Sequence, residues 1–495
     1  MGKNLYITTA IPYVNGTPHI GNAMDYLFAD IWARYQKQQQ PERLLRFSAG
    51  TDEHGNKIAA KAKEENLSPK EYTDNHYKAF ADLMKKVGAS YTDFVRTTDQ
   101  HHEQAVQDIW KKLEQYIYKG KYEGWYCVGH EAFFTEKEVA LTNGTCPDHQ
   151  TPYEKLSEEN YYFKLSSFGE QIKQAIENKK MIIEPEFRQR EILKLINDGL
   201  KDVSISRPKK SLSWGVPVPG DPDQIIYVWV DALPNYLTVI GYPDKEEWKE
   251  YWPPEVQVIG KDILRFHAAI WPAILFALDL PLPKKLLVHG FVNVGGAKIS
   301  KTVGNGVDPN EIIDEYGVDA FRYFFSRHIP TLDDGDFTWE MFENAYNNEL
   351  ANELGNLIQR VASMINRYQS GVIGDHPNPE HDINLYREYM NDFKFNRAMD
   401  EVWSMVRELN VYIENVKPWQ VAKNAEQEPE EKEHLDAILA YASGSLLQIA
   451  DLLKPFLPHT SKNIDDIFGT GVVKLPEVVL FPKVYKHTAE SKRNS

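Results

Sequence analysis

Along the first 115 residues the spacing of apolar positions switches between two periods, and the switches outline the architecture. Leu5-Tyr6-Ile7-Thr8-Thr9 reads as an apolar strand. Pro12, Gly16 and Pro18 then force a loop. After His19-Ile20-Gly21-Asn22 a helical pattern starts, with Leu27 and Ile31, Phe28 and Trp32 paired four apart. Leu44-Leu45-Arg46-Phe47-Ser48 reads as a second strand that ends in Gly50-Thr51-Asp52-Glu53-His54-Gly55. Helices are expected from Lys57 to about Glu65 and from Asp99 to about Ile117. Strands and helices in alternation imply an α/β fold with a doubly wound parallel sheet. Ligands of such sheets sit at the carboxyl ends of strands, where the His19 and Asp52 loops both lie and can share a pocket.

Residues 116–214 change character: aromatics cluster around Trp125 and Tyr161-Tyr162-Phe163, and both cysteines fall here, as expected of an insertion. The α/β pattern returns at Ile225-Ile226-Tyr227-Val228-Trp229-Val230-Asp231 and at Val256-Gln257-Val258-Ile259-Gly260-Lys261-Asp262, both read as strand segments. The strand Lys285–Gly290 leads to a Gly/Lys loop, Gly295–Thr302. From about Met341 helical spacing takes over to about Ile467, broken at Gly371–Pro379 and near Glu426–Glu433. This reads as an all-α helix bundle.

Composition narrows the classes. A chain of 495 residues is expected to form about two to four domains. With 42% hydrophobic and 26% charged residues it has the make-up of a soluble globular protein. No apolar run reaches about 18 residues, so no membrane span is expected. No signal peptide is visible and a cytoplasmic location is expected, although an organelle form processed at its N-terminus would look the same. Two cysteines exclude a disulfide framework. A net charge of −16 argues against non-specific coating of DNA but leaves room for a local basic patch.

Four groups of residues carry candidate chemistry. His19 and Gly21 stand where a strand hands over to a helix; unpaired N–H groups and the positive end of the helix dipole suit phosphate there, and glycine admits a close ligand. Lys298-Ile299-Ser300-Lys301 sets two ammonium groups three apart beside glycines, able to stabilise charge on a leaving pyrophosphate. A solvated loop is the bland alternative. Cys127-Val128-Gly129-His130 and Cys146-Pro147-Asp148-His149 are two C-x-x-H pairs with about fifteen residues between them, which fits a closed, structural Zn²⁺ site. Two core cysteines with nearby surface histidines would have to carry His at the same offset twice. Asp52 can bind an amino group or cap a helix. Trp229, Tyr236 and His267 fall in or just after expected strands, where aromatics are more often core. Asn356 and Arg360 share a helix face and Trp419 follows Pro418; such groups bind unpaired bases, but on spacing alone a charged helix face and a packed indole are the better explanation.

Together these residues resemble the class I aminoacyl-tRNA synthetases, and the methionyl-tRNA synthetase family in particular. His19-Ile20-Gly21-Asn22 is similar to the family's H-I-G-H element and Lys298-Ile299-Ser300-Lys301-Thr302 to its K-M-S-K-S loop. Ala10-Ile11-Pro12-Tyr13-Val14-Asn15-Gly16, Tyr227–Ala232, Ile259–Ile263 with Phe266-His267, and Lys417-Pro418-Trp419 are more specific to the methionine enzymes. The resemblance implies a Rossmann-like catalytic domain (1–115 and 215–285), a connective insertion with a zinc knuckle (116–214), a lysine-loop and stem-contact region (286–340), an α-helical anticodon-binding domain (341–475) and a C-terminal tail (476–495). It implies a methionine pocket of Ile11, Tyr13, Trp229, Ala232, Tyr236, Ile263 and His267, with Asp52 on the substrate's α-ammonium. His19, Asn22, Lys298 and Lys301 would hold the ATP phosphates and act in catalysis, with Gly21, Gly260 and Asp262 lining the nucleotide. Asn356, Arg360 and Trp419 would read the CAU anticodon, and Cys127, His130, Cys146 and His149 would hold structural Zn²⁺.

The implied reaction is ATP-dependent activation of L-methionine to methionyl-adenylate, with Mg²⁺ accompanying the ATP, then transfer to the terminal ribose of tRNA(Met). Three departures stand out: Asn22 replaces a histidine, Ile299 and Thr302 replace Met and Ser, and His130 and His149 stand where many relatives have Cys. No C-terminal appendage of the sort some relatives use to dimerise is visible, so a monomer is expected. Two alternatives stay open: a class I synthetase for leucine, isoleucine, valine or cysteine, and a synthetase-derived tRNA-binding protein without catalysis.

Overall fold

The computed structural model describes residues 4–128, 132–148, 150–298, 306–373, 381–425, 428–475 and 479–486. Its centre is a six-stranded sheet in the order Asp93–Arg96, Leu45–Thr51, Leu5–Thr9, Val256–Gly260, Lys285–His289, Ile182–Glu184. The described registers are parallel, from Leu5↔Leu45 on one side of the first strand to Ile7↔Val256 on the other. All five residues of Leu5–Thr9 and all five of Val256–Gly260 are buried, which is why these strands read as continuous apolar runs. The chain runs outward from Leu5–Thr9 in one direction and resumes on its other side at Val256. Doubly wound sheets bind ligands at the carboxyl ends of the strands on either side of such a reversal, here followed by Ala10–Tyr13 and Gly260–Asp262.

Two expectations are corrected. The run Ile225–Asp231 is not a strand of the parallel sheet. A strand Asp221–Ile226 belongs to a separate three-stranded sheet, and Val228–Ala232 is a short helix. Alternating β-branched residues favour a strand here, but tertiary contacts override that preference. The N–H groups of Val230 and Asp231 donate to the Tyr227 carbonyl, and the Asp231 side chain is tied to two histidines. Segment 116–214, expected as an insertion, also adds a strand to the main sheet: Ile182–Glu184 runs parallel to Lys285–Leu287, with Lys285↔Ile182 and Leu287↔Glu184 as partners. Its other part is a long antiparallel hairpin, Ile117–Cys127 against Glu154–Phe163.

The chain forms two compact units, residues Met1–Thr17, Arg43–Asp82 and Tyr91–Val288 in one, Pro18–Glu42, Leu83–Ser90 and His289–Ser495 in the other. From Trp339 onward the described elements of the second unit are helices, as helical spacing had indicated. Its keystone is Arg322, fully buried on the helix Val318–Arg327. Its guanidinium pairs with Asp30 Oδ2 at 2.8 Å and donates to the carbonyls of Val87, Pro455 and Phe456 at 2.9, 2.8 and 2.6 Å. Asp30 in turn accepts from Arg34 Nε and from the N–H and hydroxyl of Ser90. A buried charge is tolerated when it is paired and hydrogen-bonded, as here.

Candidate functional site

Eight residues expected to hold an amino acid lie in the first unit, on two sets of elements. Ile11, Tyr13 and Asp52 stand just past the strands Leu5–Thr9 and Leu45–Thr51. The Asp52 N–H donates to the Pro12 carbonyl at 2.9 Å and the Val14 N–H to the Asp52 carbonyl at 3.0 Å, so a one-residue bridge sets Tyr13 beside Asp52. Gly50 is required for this approach. A Cβ there would lie 2.2 Å from the Val95 carbonyl oxygen and 3.1 Å from Ile11 Cγ2.

Trp229, Ala232, Tyr236, Ile263 and His267 come from four short helical turns. Val228–Ala232 and Asn235–Thr238 carry the first three. Ile263 ends a 3₁₀ turn after Val256–Gly260, and His267 lies on a π-helical turn, Phe266–Ile270, a geometry common at functional sites. His267 is buried, with Nδ1–H donating to the Ile263 carbonyl at 3.0 Å and Nε2 accepting the Tyr236 hydroxyl at 2.8 Å. Burial holds its pKa down at about 4, against a smaller upward pull from the Ile263 carbonyl, so the ring is neutral. Trp229 lies edge-to-face to His267 and stacks on Phe266 with centroids 3.8 Å apart. The two sets are linked by Tyr6, whose hydroxyl donates to the Tyr236 carbonyl at 2.7 Å and sits 3.1 Å from Ser48 Oγ. Trp229, Phe266, Tyr236 and His267 thus form one aromatic cluster, and Asp52 is a buried carboxylate of the other set. Aromatic faces suit apolar and polarizable groups.

Residues without a sequence-based role sit close to these. Glu53 is buried and takes both oxygens to Arg96, at 2.7 Å each, with the Thr51 and Thr98 hydroxyls and a backbone N–H at Thr97 Oγ1 completing the set. His54, His102 and Asp231 form a second buried cluster. In the sequence Phe266 belongs to a motif without a role in the aromatic cluster, and His102 is only a helix position. Spacing carries no signal for either, because their partners lie far away in the chain. A separate cavity of about 260 Å³ is lined by Asn56, Glu158, Arg207, Ser211, Tyr227 and Val228.

The candidate phosphate residues lie in the second unit. His19 caps the helix Ile20–Gln39: its Nδ1 accepts the Gly21 N–H at 3.0 Å, which leaves the ring proton on Nε2. Asn22 Oδ1 accepts the His19 N–H at 3.1 Å. This commits the carbonyl end of the amide to the cap, so the end it can offer a phosphate is the NH₂. Gly295 and Gly296 both have positive φ and make a two-residue hairpin turn, Val294↔Ala297, that carries Lys298 on its return strand. The Lys298 side chain and Lys301 lie outside the described residues. Gly260 is buried and Asp262 exposed, at the carboxyl end of a central strand.

Cys127 and Cys146 are fully buried in one small cluster with Val139 and Tyr153. Cys127 ends a strand paired to Ala132, and the Cys146 turn is closed by its N–H on the Thr151 carbonyl and the Gln150 N–H on its own carbonyl. His130 and His149 lie outside the described residues, and among those described no group of three metal-ligating side chains occurs. In the second unit, Asn356 is exposed and Arg360 half-buried on the helix Asn356–Gln369, which contacts the helix Pro418–Asn424 bearing Trp419. Arg360 is held by Glu414 and by Asn410 Oδ1 at 3.2 Å.

The family model for class I tRNA synthetases (M) matches residues 5–155 and 149–362, and that for the anticodon-binding domain of tRNA ligases matches 380–486. The chain is similar to the methionine–tRNA ligase of Caldanaerobacter subterraneus subsp. tengcongensis, 42% identical over 485 residues, covering 95% of this chain and 74% of the relative. The Clostridium tetani methionine–tRNA ligase is 41% identical over 495 residues, 97% of this chain and 76% of the relative. Among solved structures, Mycobacterium tuberculosis methionyl-tRNA synthetase in complex with methionyl-adenylate superimposes with a TM-score of 0.89 at 34% identity, over 97% of this chain and 100% of that one. Its apo form gives 0.83 at 31%, over 98% and 99%.

Proposed function

The chain belongs to the class I tRNA synthetases of the methionine family, and from that premise we infer the reaction and the residues that perform it. The protein is an ATP-dependent ligase that joins L-methionine to tRNA. The methionine carboxylate attacks the α-phosphorus of ATP, giving methionyl-adenylate and pyrophosphate, and the terminal ribose hydroxyl of tRNA(Met) then attacks the activated carbonyl. The observation that carries this reading is identity of about two residues in five extending over 95% of the chain, through both the catalytic and the anticodon-binding matches.

The family pattern suggests a role for each group. Ile11, Tyr13, Trp229, Ala232, Tyr236, Ile263 and His267 form the methionine pocket, and Asp52 holds the α-ammonium. Because His267 is neutral and its Nδ1–H is spent on a carbonyl, the pocket is matched to an uncharged side chain. His19 Nε2–H, the Asn22 amide, Lys298 and Lys301 hold the phosphates, with Gly21 giving room and Gly260 and Asp262 lining the nucleotide. Positioning and charge stabilisation supply most of the rate. Mg²⁺ accompanies the ATP phosphates. Asn356, Arg360 and Trp419 receive the anticodon, with Arg360 exchanging Glu414 for a base or phosphate.

Cys127 and Cys146 with His130 and His149 hold a structural Zn²⁺. The buried pair of thiols in one cluster, one at a strand end and one in a turn, fits two of four ligands. Metal analysis of the purified protein should give about one zinc per chain, reduced in Cys146→Ser; no zinc in either sample rejects the assignment.

Amino-acid-dependent ATP–pyrophosphate exchange tests the central reading. Methionine should support exchange; exchange with leucine and none with methionine overturns the specificity, and no exchange with any amino acid points to a tRNA-binding protein. Lys301→Ala should lower adenylate formation far more than it weakens ATP or methionine binding. Equal losses in rate and binding reject that role.

A further inference from the structure

Asp231 lies between Trp229 and Ala232 in the chain, His54 two residues after Asp52, and Thr238 two residues after Tyr236. These neighbours of the proposed methionine-binding residues meet each other. Asp231 is 0% exposed, His102 0% and His54 2%. His54 Nδ1 is 2.6 Å from Asp231 Oδ2. His102 Nε2 is 3.1 Å from Asp231 Oδ1 and from the Asp231 carbonyl oxygen, so Nε2 carries the hydrogen and donates to both. The other face of the His102 ring, Nδ1, is 2.8 Å from Thr238 Oγ1. His54 is further confined by Glu103, whose carboxylate lies 3.4 Å from Nε2, and by the Trp214 ring, which meets it edge-on. The Trp214 indole N–H donates to the Glu53 carbonyl at 2.7 Å, and the Gly55 N–H donates to the Trp214 carbonyl.

We propose that Asp231, His54 and His102 are positioning residues that lock the Asp52 loop, the Val228–Ala232 turn and the Asn235–Thr238 turn into one rigid frame for the amino-acid side of the site. None of the residues proposed for the nucleotide or the anticodon belongs to this frame. One buried carboxylate with two imidazole donors reaches all three segments: through His54 to the Asp52 loop, through its own backbone to Trp229 and Ala232, and through His102 to Thr238. This also accounts for a helix where alternating β-branched residues favour a strand, because a strand would turn Asp231 away from at least one of its partners. Asp231 stays ionised: burial alone would raise its pKa, but the His54 charge and hydrogen bonds from both imidazoles bring it down to about 2.

The inference rests on the methionine-pocket assignment, and its test separates the two. Methionine and ATP KM values from pyrophosphate exchange are compared in the full-length chain for His54→Leu, His54→Asn, Thr238→Val and His267→Ala. His54→Leu should raise the methionine KM by about tenfold or more, with the ATP KM changed less than about twofold, since small displacements of positioned groups cost rate and affinity steeply. His54→Asn keeps a donor at the Nδ1 position and should recover most of the loss. Thr238→Val, nearly isosteric, should give a smaller change of the same kind. Equal rises in both KM values, or an asparagine variant no better than the leucine one, overturn the positioning role in favour of plain structural support. An unchanged methionine KM in both His54→Leu and Thr238→Val also overturns it, and if His267→Ala raises that KM in parallel samples the pocket assignment itself stands.

Discussion

At the scale of single residues, two buried histidines pull stability in opposite directions with pH. Burial opposes the charge on His54, but the Asp231 carboxylate and then Glu103 outweigh it and raise its pKa to about 10. A raised histidine stabilises fully below its unfolded value, near 6.5, and that contribution is lost as pH climbs through about 10. His267 is lowered to about 4, so it costs stability as pH falls from about 6.5 towards 4. The urea midpoint should therefore decline on both sides of neutrality. The alkaline limb should flatten in His54→Asn and the acid limb in His267→Gln; a pH profile identical to the parent's in His54→Asn would contradict the ion pair. Gly50 makes a second residue-scale prediction. Its Cβ position is 2.2 Å from a backbone oxygen, and backbone cannot give way as a side-chain tip does. Gly50→Ala should destabilise by about 1–3 kcal/mol in urea denaturation and raise the methionine KM through Ile11.

Secondary-structure elements decide what a linear reading can see. The helix Ile20–Gln39 has a capping arrangement built from His19 and Asn22, so Asn22 serves the helix start as well as a ligand. Asn22→Ala should lower the adenylation rate and cost about 1 kcal/mol of stability, read by exchange kinetics and thermal melts; a rate loss with no stability loss would show that the cap is dispensable. Trp419→Ala should lower kcat/KM for tRNA in aminoacylation much more than it lowers pyrophosphate exchange. The strands Leu5–Thr9 and Val256–Gly260 were legible because burial on both faces leaves continuous apolar runs. The His19 and Gly295-Gly296 turns were legible because proline and glycine punctuate them. Val228–Ala232 was misread because its helix is imposed by His54 and His102, residues more than a hundred positions away. The strand Ile182–Glu184 was missed inside 116–214 because three residues carry no period. Glu53 with Arg96, and Phe266 against Trp229, stayed without roles for the same reason: their meaning lies in partners that sequence distance conceals.

For the whole molecule, the second unit depends on Arg322 more than on any local preference. Arg322→Met should cost about 3–5 kcal/mol, because Asp30 would be left buried without its main partner. Denaturation should then lose a cooperative step, while Arg322→Met with Asp30→Asn in the same chain should recover part of the loss; no recovery would show that the backbone carbonyls matter more than the ion pair. The chain spans about three quarters of the length of the relatives it matches. No described helix is long and apolar enough to cross a membrane.

The same arginine has a consequence for synthesis on the ribosome. Asp30 emerges early, Arg322 much later, and the carbonyls of Pro455 and Phe456 later still, yet all belong to one buried knot. At translation speeds of roughly 5–20 residues per second, the nascent helix Ile20–Gln39 waits for about half a minute with Phe28 and Trp32 uncovered. Those apolar rings, whose partners Phe393 and Phe395 also come late, leave apolar surface of the kind that holding chaperones bind uncovered throughout that interval.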